Sequence, residues 1–457
     1  MYRELHSLRQ ALHHELEGTL PTLPGVEPNK LMQTYLDQLT LYVGVDVADQ
    51  TVTLLALNAN KEELGDLLDC PNTPRGHRAI GDWLEHVRAQ HHLRIIAIAC
   101  ETTGVFYWGL WDYLATCPNV ARVLFNPRTT EHMGQVLSKR VRNELVDALL
   151  LAEQLRLGST PEVLLTEDAD LLTARLCSRA ARDLAQQINR KKNQLRSLVR
   201  GYNPVLLQVF RGSKFHHPAV YALLERYLFP DEYVTAGVGL LTELLAEHSR
   251  SAFGREHAQQ LVDQCRECLS RPIGRAIVHQ RVNDLTTEIR LARTHQKDML
   301  RQGYALIRQR PEAQLLKAST GAGVSNTLAL VTEIGDIRRF PDGEHVASFL
   351  GLTTSKHISG ATLYQSKHIT KQGPPNGRYA AVNMALHLSH RVPKYRAMYQ
   401  AIKSRKPPRK GHFVALVAIA RDFVTHVLYD MWHYQRPFFV KVEDYRQYLR
   451  DHPRTAV

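Results

Sequence analysis

The sequence has no Asp or Glu between Glu344 and Asp422, a run of 77 residues that carries 13 Lys and Arg. That excess equals the formal net charge of the whole chain, +13 at pH 7. Globular surfaces normally mix both signs, so an acid-free basic segment indicates a surface that meets a polyanion, most commonly nucleic acid. The alternative is a solvated basic face without a partner, and the apolar helical stretches within the segment make it the weaker reading.

Cysteine and long apolar runs are also scarce. Six cysteines in 457 residues do not make a disulfide framework. The lone Cys-x-x-C pair, Cys265 and Cys268, lacks two further ligands at the spacing of a zinc site. No stretch approaches the roughly 18 uncharged apolar residues of a membrane span, and the N-terminus lacks a signal-peptide core. We therefore expect a cytoplasmic protein with no membrane partner.

From Leu41 the pattern is that of β-strands. LYVGVDVA and TVTLLALN form two apolar runs around a plausible turn, and the strands LRIIAIAC and ARVLFNP then alternate with helices. A hairpin followed by alternating strands and helices predicts a mixed sheet covered by helices, the layout of an RNase H-like α/β domain. The predicted domains are a helical N-terminal extension (1–40), the α/β domain (41–160), a helical region (161–310), an all-helical C-terminal domain (311–435) and a tail (436–457).

The middle region contains two heptad seams. The first steps by four and three residues through Cys177, Ala181, Leu184, Ile188, Lys191, Leu195 and Leu198, and the second through Val278, Val282, Leu285, Ile289, Ala292, Gln296 and Met299. They predict an antiparallel hairpin or an oligomerisation coiled coil. Two ordinary amphipathic helices that pack within one subunit are an equal alternative.

A Gly-Ala-Gly turn separates two helical segments near the start of the C-terminal domain. It resembles a helix-hairpin-helix element, in which Gly321 and Gly323 would let backbone N–H groups at a helix start approach a phosphate of DNA. An ordinary tight turn is the alternative, and the neighbouring basic segment favours DNA.

Four carboxylates form a second set of candidate residues. Asp46 lies within an apolar strand and Glu101 ends another, where a carboxylate is costly unless it is paired or binds metal. Glu144 and Asp147 are three residues apart on a predicted helix and so share a face. Together they predict an oxygen-rich Mg²⁺ site that could activate a nucleophile and polarise a phosphodiester. Individually, each residue is more often a helix cap or a solvated surface carboxylate.

Several motifs in order resemble one protein family. YVGVDVADQTV, CETTGVFYWGLWDYL, NPRTTEHMGQVLSKRVRNELVDALLLAEQL and TGAGVSNTLALVTEIGDIRRFPDGEHVASFLGL are similar to the DEDD transposases, the insertion-sequence one-hundred-ten family, which includes the Piv-type DNA invertases. The resemblance runs from about Leu41 to Trp432. It implies a RuvC-like nuclease domain, a coiled-coil middle and a C-terminal transposase domain.

The resemblance assigns roles to single residues. The family's catalytic, metal-binding acids fall on Asp46, Glu101, Glu144 and Asp147. The third acid is usually Asp, and Glu144 adds a methylene that displaces the oxygens by about 1.5 Å. Magnesium tolerates little geometric error, so either the backbone of the site has adjusted or this copy is impaired.

The family's nucleophilic serine maps to Ser359, which precedes Gly360. Family members often continue with Gly-Gly or Gly-Lys, whereas this chain has Gly-Ala-Thr, so Ser355 and Ser366 are kept as weaker candidates. Basic side chains close to this loop are the expected DNA contacts. They are Lys356, Lys367, Lys371 and Arg378, in addition to Gly321 and Gly323 of the turn.

The resemblance also implies the reaction and its partners. Ser359 would attack a phosphate held by Mg²⁺, which Mn²⁺ can replace, to insert or excise a mobile element. The protein is expected in the cytoplasm of a bacterium or archaeon, associated with the nucleoid. A structured guide RNA and a homo-oligomer, a dimer or tetramer, are the further expected partners. The rivals are a site-specific DNA invertase, a junction-resolving nuclease that activates water, and a catalytically silent nucleic-acid-binding descendant.

Overall fold

The computed structural model describes residues 2–17, 27–102, 104–127, 144–158, 168–270, 273–359 and 362–438. The chain forms two compact units, Met1–Leu165 and Thr166–Val457. Each unit is described by itself. The predicted C-terminal tail lies almost entirely outside the described residues, as do the first residues of the motif that leads to Glu144.

The first unit is built on a mixed five-stranded sheet in the order β3-β2-β1-β4-β5. β1, β2 and β3 are antiparallel neighbours, whereas β1, β4 and β5 run parallel. This topology is consistent with the predicted RNase H-like domain. The strands are β1 (Thr40–Val47), β2 (Thr51–Leu57), β3 (Leu68–Pro71), β4 (Ile95–Glu101) and β5 (Val120–Phe125).

Helices cover both faces of the sheet, which explains why β1 and β4 are apolar at almost every position. Val43 and Val45 pack with α3 and α4 on one face, whereas Tyr42 packs with α1, α2 and α5 on the other. Because side chains alternate along a strand, the even-numbered residues of β1 face the second layer. The helices are α1 (Arg3–Leu16), α2 (Pro28–Gln38), α3 (Pro74–Gln90), α4 (Trp108–Leu114) and α5 (Glu144–Leu157).

The two N-terminal helices are part of the first unit's packing. The buried Arg9 guanidinium donates to an Asp37 carboxylate oxygen at 2.6 Å and to the Tyr42 hydroxyl at 2.7 Å. Glu4 accepts from the backbone N–H of Arg122 at 2.8 Å and from its guanidinium at 2.7 Å. Residues of the predicted N-terminal extension therefore complete the hydrophobic layer that also contains α5.

Helix α5 lies against β1 with almost no space between the two backbones. A Cβ added at Gly44 would lie 1.8 Å from the carbonyl oxygen of Ala148 and 2.5 Å from the nitrogen of Ala152. Only a residue without a side chain permits this approach, because the obstructing atoms are helix backbone.

The second unit begins with two long antiparallel helices, α6 (Ala169–Tyr202) and α11 (Arg275–Ile307). Lys191 Nζ lies 2.6 Å from a Glu288 carboxylate oxygen, and the Gln296 amide donates to the carbonyl of Ala181 at 3.2 Å. The two predicted seams therefore pack on each other within one chain, as in the hairpin and single-subunit interpretations. An oligomerisation role for this region stays a prediction.

A small helical insert joins the far ends of these two helices. Its core is rich in buried aromatic side chains, among them Phe210, Phe215, Tyr221 and Phe229. The elements are α7 (Val205–Val209), a 3-10 helix (Gly212–His216), α8 (Pro218–Arg226), α9 (Pro230–Ser249) and α10 (Arg255–Arg266).

The C-terminal part is mostly helical but contains a hairpin of two antiparallel strands, β6 (Thr354–Ser359) and β7 (Thr362–Ile369). The prediction of an all-helical C-terminal domain is therefore wrong. Both strands contain Thr and Ile, residue types that favour extended backbone, and only Gly360 and Ala361 separate them. The helices are α12 (Pro311–Thr320), α13 (Val324–Ile334), α14 (Gly343–Phe349), α15 (Pro375–Arg391), α16 (Pro393–Ser404), α17 (Pro408–Asp422) and α18 (Tyr429–His433).

A π-helical segment, Phe423–Leu428, joins α17 to α18, so Lys410–His433 is one continuous helix. In the part of the chain that the structure describes, this is the one helix long and apolar enough by composition to cross a membrane. Phe423, Leu428 and Trp432 are fully buried in the C-terminal core, and Arg421 and Asp422 lie mid-helix. These contacts assign it to the core of the second unit.

We predict that Gly44→Ala destabilises the first unit by about 3 kcal/mol, because the added methyl group forces α5 away from β1. Urea unfolding of the full chain measures the effect. The matched control is Gly201→Ala, since a Cβ at Gly201 meets nothing within 4 Å. That control should be neutral or stabilising by up to about 1 kcal/mol. Equal stability of Gly44→Ala and wild type would contradict the close backbone contact.

Candidate active site

Asp46 and Glu101 lie side by side at the ends of two parallel strands. Val45 is in register with Cys100, so Asp46 and Glu101 take the next position on β1 and β4. Strand alternation places both on the face that α5 covers. Both residues are half-buried, at the carboxyl end of parallel strands, where such sheets place ligands.

Glu144 and Asp147 lie in the first turn of α5. Carboxylates are favoured there because the N-terminus of a helix carries partial positive charge. Asp147 directly precedes Ala148, whose backbone is held against Gly44. The close helix–strand contact therefore brings the start of α5 beside the end of β1. Glu144 is exposed and Asp147 is half-buried.

The electrostatics of Asp46 connect all four carboxylates. Burial, followed by the negative charges of Asp147, Glu101 and Glu144, raises the pKa of Asp46 from its ordinary value of 3.8 to about 6. Like charges influence one another this strongly only when they are close in space. The four predicted acids therefore lie in the same region of the first unit, near the carboxyl ends of β1 and β4.

These carboxylates are not closed into a cage. Among the described residues, no three His, Cys, Asp or Glu side chains are grouped so as to hold one metal ion. The donor set nevertheless fits a hard cation, because it consists of carboxylate oxygens whose mutual repulsion a divalent ion would relieve. The adjacent Cys100 adds no thiolate, since burial raises the pKa of its thiol well above the ordinary range.

A residue that the sequence analysis missed ties together the loops beside the site. The Asn72 amide donates to the carbonyl of Ala48, just after β1, at 2.9 Å and to the carbonyl of Phe106, just after β4, at 3.0 Å. The imidazole of His77 contacts the Asn72 side-chain oxygen at 2.8 Å, and burial lowers the pKa of His77. Asn72 therefore fixes the segments that follow Asp46 and Glu101.

The candidate serine lies at the tip of the β6–β7 hairpin. Ser359 is the last residue of β6 and pairs with Thr362, the first residue of β7. Ser355 lies near the other end of β6, and Ser366 lies within β7. The side chains of residues 355–359 and 362–367, including those of Lys356 and Lys367, lie outside the described part of the structure.

The predicted glycines do occupy a turn between two helices. Gly321 caps α12 with a left-handed φ of 66°, which favours glycine, and Gly323 precedes α13 without a side-chain cap. A Cβ at Gly321 would lie 2.8 Å from the Arg391 guanidinium. A cation thus lies beside the turn, although the sequence analysis did not single out Arg391.

Lys371 and Arg378 lie close to the base of the hairpin. Lys371 is exposed and accepts a left-handed φ of 55°. The Arg378 guanidinium donates to the backbone carbonyls of Leu350 at 3.2 Å and Gln372 at 3.4 Å. Arg378 therefore fixes the backbone that leads out of the hairpin, in addition to its expected role at DNA.

Two family models match the chain. Residues 43–204 match the family model of the DEDD-type IS110 transposases. Residues 313–400 match the family model of the IS116/IS110/IS902 transposases. The two segments cover more than half of the chain and contain all four carboxylates and Ser359. The chain belongs to the IS110 family of transposases. The predicted family is thereby confirmed.

Curated relatives cover less of the chain. An uncharacterized 43.6 kDa protein of insertion element IS110 from Streptomyces coelicolor is 28% identical over 253 residues, 54% of this chain and 60% of the relative. Pilin gene-inverting proteins of Moraxella bovis and Moraxella lacunata are each 28% identical over 145 residues, 31% of this chain and 44% of the relative. The chain thus matches about half the length of these relatives.

We predict that Asp46→Asn stabilises the metal-free protein above pH 6. A raised carboxyl pKa means that folding disfavours the charged form, so wild type loses stability relative to the variant as pH rises from about 4 through about 6. Solvent screening at this half-buried site reduces the difference to about 1–2 kcal/mol. Urea unfolding in a chelator at pH 4 and pH 8 measures it.

The matched control is Asp49→Asn, an exposed carboxylate in the turn after β1. We expect it to leave the stability unchanged at both pH values. Mg²⁺ should stabilise wild type and the control more than Asp46→Asn. An Asp46→Asn protein no more stable than wild type at pH 8 would mean that burial and the neighbouring carboxylates do not raise the pKa of Asp46.

Proposed function

We propose that this family member is a transposase that cleaves and rejoins DNA strands, with Ser359 as nucleophile and the four carboxylates as the metal-binding set. The observation that carries the proposal is the grouping of Asp46, Glu101, Glu144 and Asp147 where two parallel strands end and α5 begins. An RNase H-like sheet with acids at this edge supports phosphodiester chemistry. The Ser-Gly turn within the basic segment supports the serine as the attacking group.

The carboxylates would hold Mg²⁺, or Mn²⁺ in its place, which supplies positive charge to a scissile phosphate. Asp46 and Glu101 are set by strand register, and Asp147 by the contact of α5 with Gly44. Glu144, in the position that is usually Asp, is exposed at the helix start. Its extra methylene therefore needs no room in the core, and we infer that this tetrad is competent.

The Ser359 hydroxyl would attack the phosphorus and displace the 3′-oxygen of the broken strand. A bond forms between serine Oγ and phosphorus as the bond to the 3′-oxygen breaks. The serine hydroxyl loses one proton, and the leaving 3′-oxygen gains one to become a hydroxyl. The energy of the phosphodiester stays in the phosphoserine, so rejoining needs no cofactor.

The basic segment that contains the hairpin would bind the DNA backbone. Binding of this kind releases counterions and weakens with salt. Gly321 and Gly323 at the start of α13, with Arg391 beside them, support a phosphate contact at that turn. Lys356, Lys367 and Lys371 are the further proposed contacts, and DNA as substrate would place the protein at the nucleoid in the cytoplasm.

Guide RNA and oligomerisation are the finer parts of the proposal. The family resemblance supports a structured RNA that selects donor and target DNA, and a basic surface suits RNA as well as DNA. A dimer or tetramer would let the carboxylates of one subunit act with Ser359 of another. The long α6–α11 pair is the proposed oligomerisation element.

DNA inversion is the second candidate reaction, favoured by the pilin gene-inverting relatives. Inversion and transposition would use the same residues and would differ in the arrangement of the two DNA sites. A junction-resolving nuclease would instead activate water with the carboxylates and give Ser359 no role.

We predict that Ser359→Ala abolishes a covalent protein–DNA adduct that wild type forms with Mg²⁺, because the variant lacks the attacking oxygen. Denaturing gels of labelled element ends, with RNA from the same element present, measure the adduct. Ser355→Ala and Ser366→Ala are the matched controls on the same hairpin and should retain it.

Water-mediated cleavage would leave 5′-phosphate ends without an adduct in all four proteins, which would reject the serine mechanism in favour of the nuclease. Loss of the adduct in Ser355→Ala or Ser366→Ala alone would move the nucleophile to that residue.

A further inference from the structure

Three cations meet between the long helices and the insert of the second unit. Lys192 and Arg196 lie one turn apart on α6, and Arg293 lies on α11. All three are half-buried and surround the 3-10 helix Gly212–His216. They belong to none of the residue sets considered above for DNA binding or catalysis.

Backbone contacts hold two of these cations in place. The Arg196 guanidinium donates to the carbonyl of Gly212 at 3.0 Å, and that of Arg293 donates to the carbonyl of His216 at 3.4 Å. Their planes also lie near the rings of Phe215 and Tyr221, at 5.8 and 5.7 Å from the centroids. These contacts orient the two guanidinium groups and neutralise neither charge.

Within the part of the chain that the structure describes, none of the three cations forms an ion pair with a carboxylate. Arg196 Nε is buried and lacks a hydrogen-bond partner among the described residues. The nearby acids are engaged elsewhere: Glu225 pairs with Arg290 at 2.7 Å and Glu288 with Lys191 at 2.6 Å. Half-buried charge without a partner is costly to folding, so its presence favours a ligand of opposite charge.

The titration of neighbouring groups agrees with this geometry. Burial, followed by the charges of Lys192, Arg196 and Arg293, lowers the pKa of His216 to about 4, so the imidazole is uncharged at neutral pH. Burial and Arg293 also lower the pKa of Lys192. The cations therefore repel one another, and an anion placed among them would relieve that repulsion.

Space for a ligand adjoins the cations. A cavity of about 330 Å³ is lined by Tyr221, Arg293 and further residues of α8 and α11. Its charged lining includes Arg226, Arg290 and Arg293 against the single acid Glu225. Arg293 thus lines the cavity and also belongs to the cluster.

We propose that Lys192, Arg196 and Arg293 bind a phosphate of a nucleic-acid backbone, as a contact site in the helical region remote in sequence from the catalytic residues. Guanidinium groups and an ammonium suit phosphate oxygens, and oriented guanidinium groups suit them best. The cation cluster itself argues for an anionic ligand, and this inference rests on the proposed function only in taking that ligand to be nucleic acid. It makes the helical region a nucleic-acid contact as well as a connector.

The test uses the full chain in a chelator, so that binding is measured without strand cleavage. Affinities for duplex DNA and for single-stranded RNA are measured across a salt series for wild type, Lys192→Gln and Arg293→Gln. Each variant should reduce the slope of log K against log salt by about 0.9 for duplex DNA or about 0.7 for a single strand. A change with DNA alone assigns the site to DNA, and a change with RNA alone assigns it to RNA.

The matched control is Lys191→Gln, the neighbouring lysine on the same helix, whose charge is already paired with Glu288. It should leave both slopes at the wild-type value. If Lys192→Gln and Arg293→Gln give the same slopes as Lys191→Gln with both nucleic acids, the phosphate site does not exist. Adduct formation is measured separately with Mg²⁺. Because the adduct reports the proposed reaction and the slopes report the phosphate site, failure of one can be told apart from failure of the other.

Thermal unfolding in dilute buffer separates a binding role from a structural one. Because the cations repel one another, Lys192→Gln should raise the melting temperature of the ligand-free protein. Added inorganic phosphate should stabilise wild type more than Lys192→Gln at matched ionic strength. A lower melting temperature with an unchanged phosphate effect would overturn the proposal.

Discussion

The backbone of α5 meets the backbone of β1 at Gly44, and the candidate active site depends on that contact. A methyl group there would meet the carbonyl oxygen of Ala148 at 1.8 Å. Because Asp147 precedes Ala148 and Asp46 follows Gly44 on the same face, the contact sets how closely helix and strand carboxylates approach. Burial and, after it, the repulsion from these carboxylates raise the pKa of Asp46. The sheet and its second helical layer, including α1 and α2, thus hold four acids closer together than they would lie in an open chain.

Much of this arrangement could be predicted from the sequence, because it depends on local patterns. Apolar strands interrupted by Asp46 and Glu101 mark positions where a carboxylate is costly, and an acidic pair three apart marks one helix face. The hairpin and the alternation of strands and helices predicted a mixed sheet, but not the edge strand β3 or the order of the strands. The heptad seams likewise predicted two helices that the structure pairs within the chain.

The remaining features depend on contacts between distant residues or on backbone choices that local pattern leaves open. Asn72 reads as a turn residue, and its two bonds to Ala48 and Phe106 require the folded loops. The β6–β7 hairpin was missed because a short polar stretch between helices resembles a loop. The heptad seam singled out Lys191 but gave no partner for it or for its neighbour Lys192, and only the fold pairs the first with Glu288 and places the second near Arg293.

Charges of like sign are thus gathered in two places: the carboxylates lie in the first unit, and Lys192, Arg196 and Arg293 lie in the second. Repulsion among the carboxylates and among Lys192, Arg196 and Arg293 opposes folding of the ligand-free chain, since each group is held near others of its own sign. A ligand that binds only the folded state stabilises it in proportion to the logarithm of its concentration over its dissociation constant. Metal at the acids and phosphate at the bases would each relieve one of these repulsions. The same electrostatics that weaken the ligand-free protein would therefore favour binding of a divalent ion at the acids and of a phosphate at the bases.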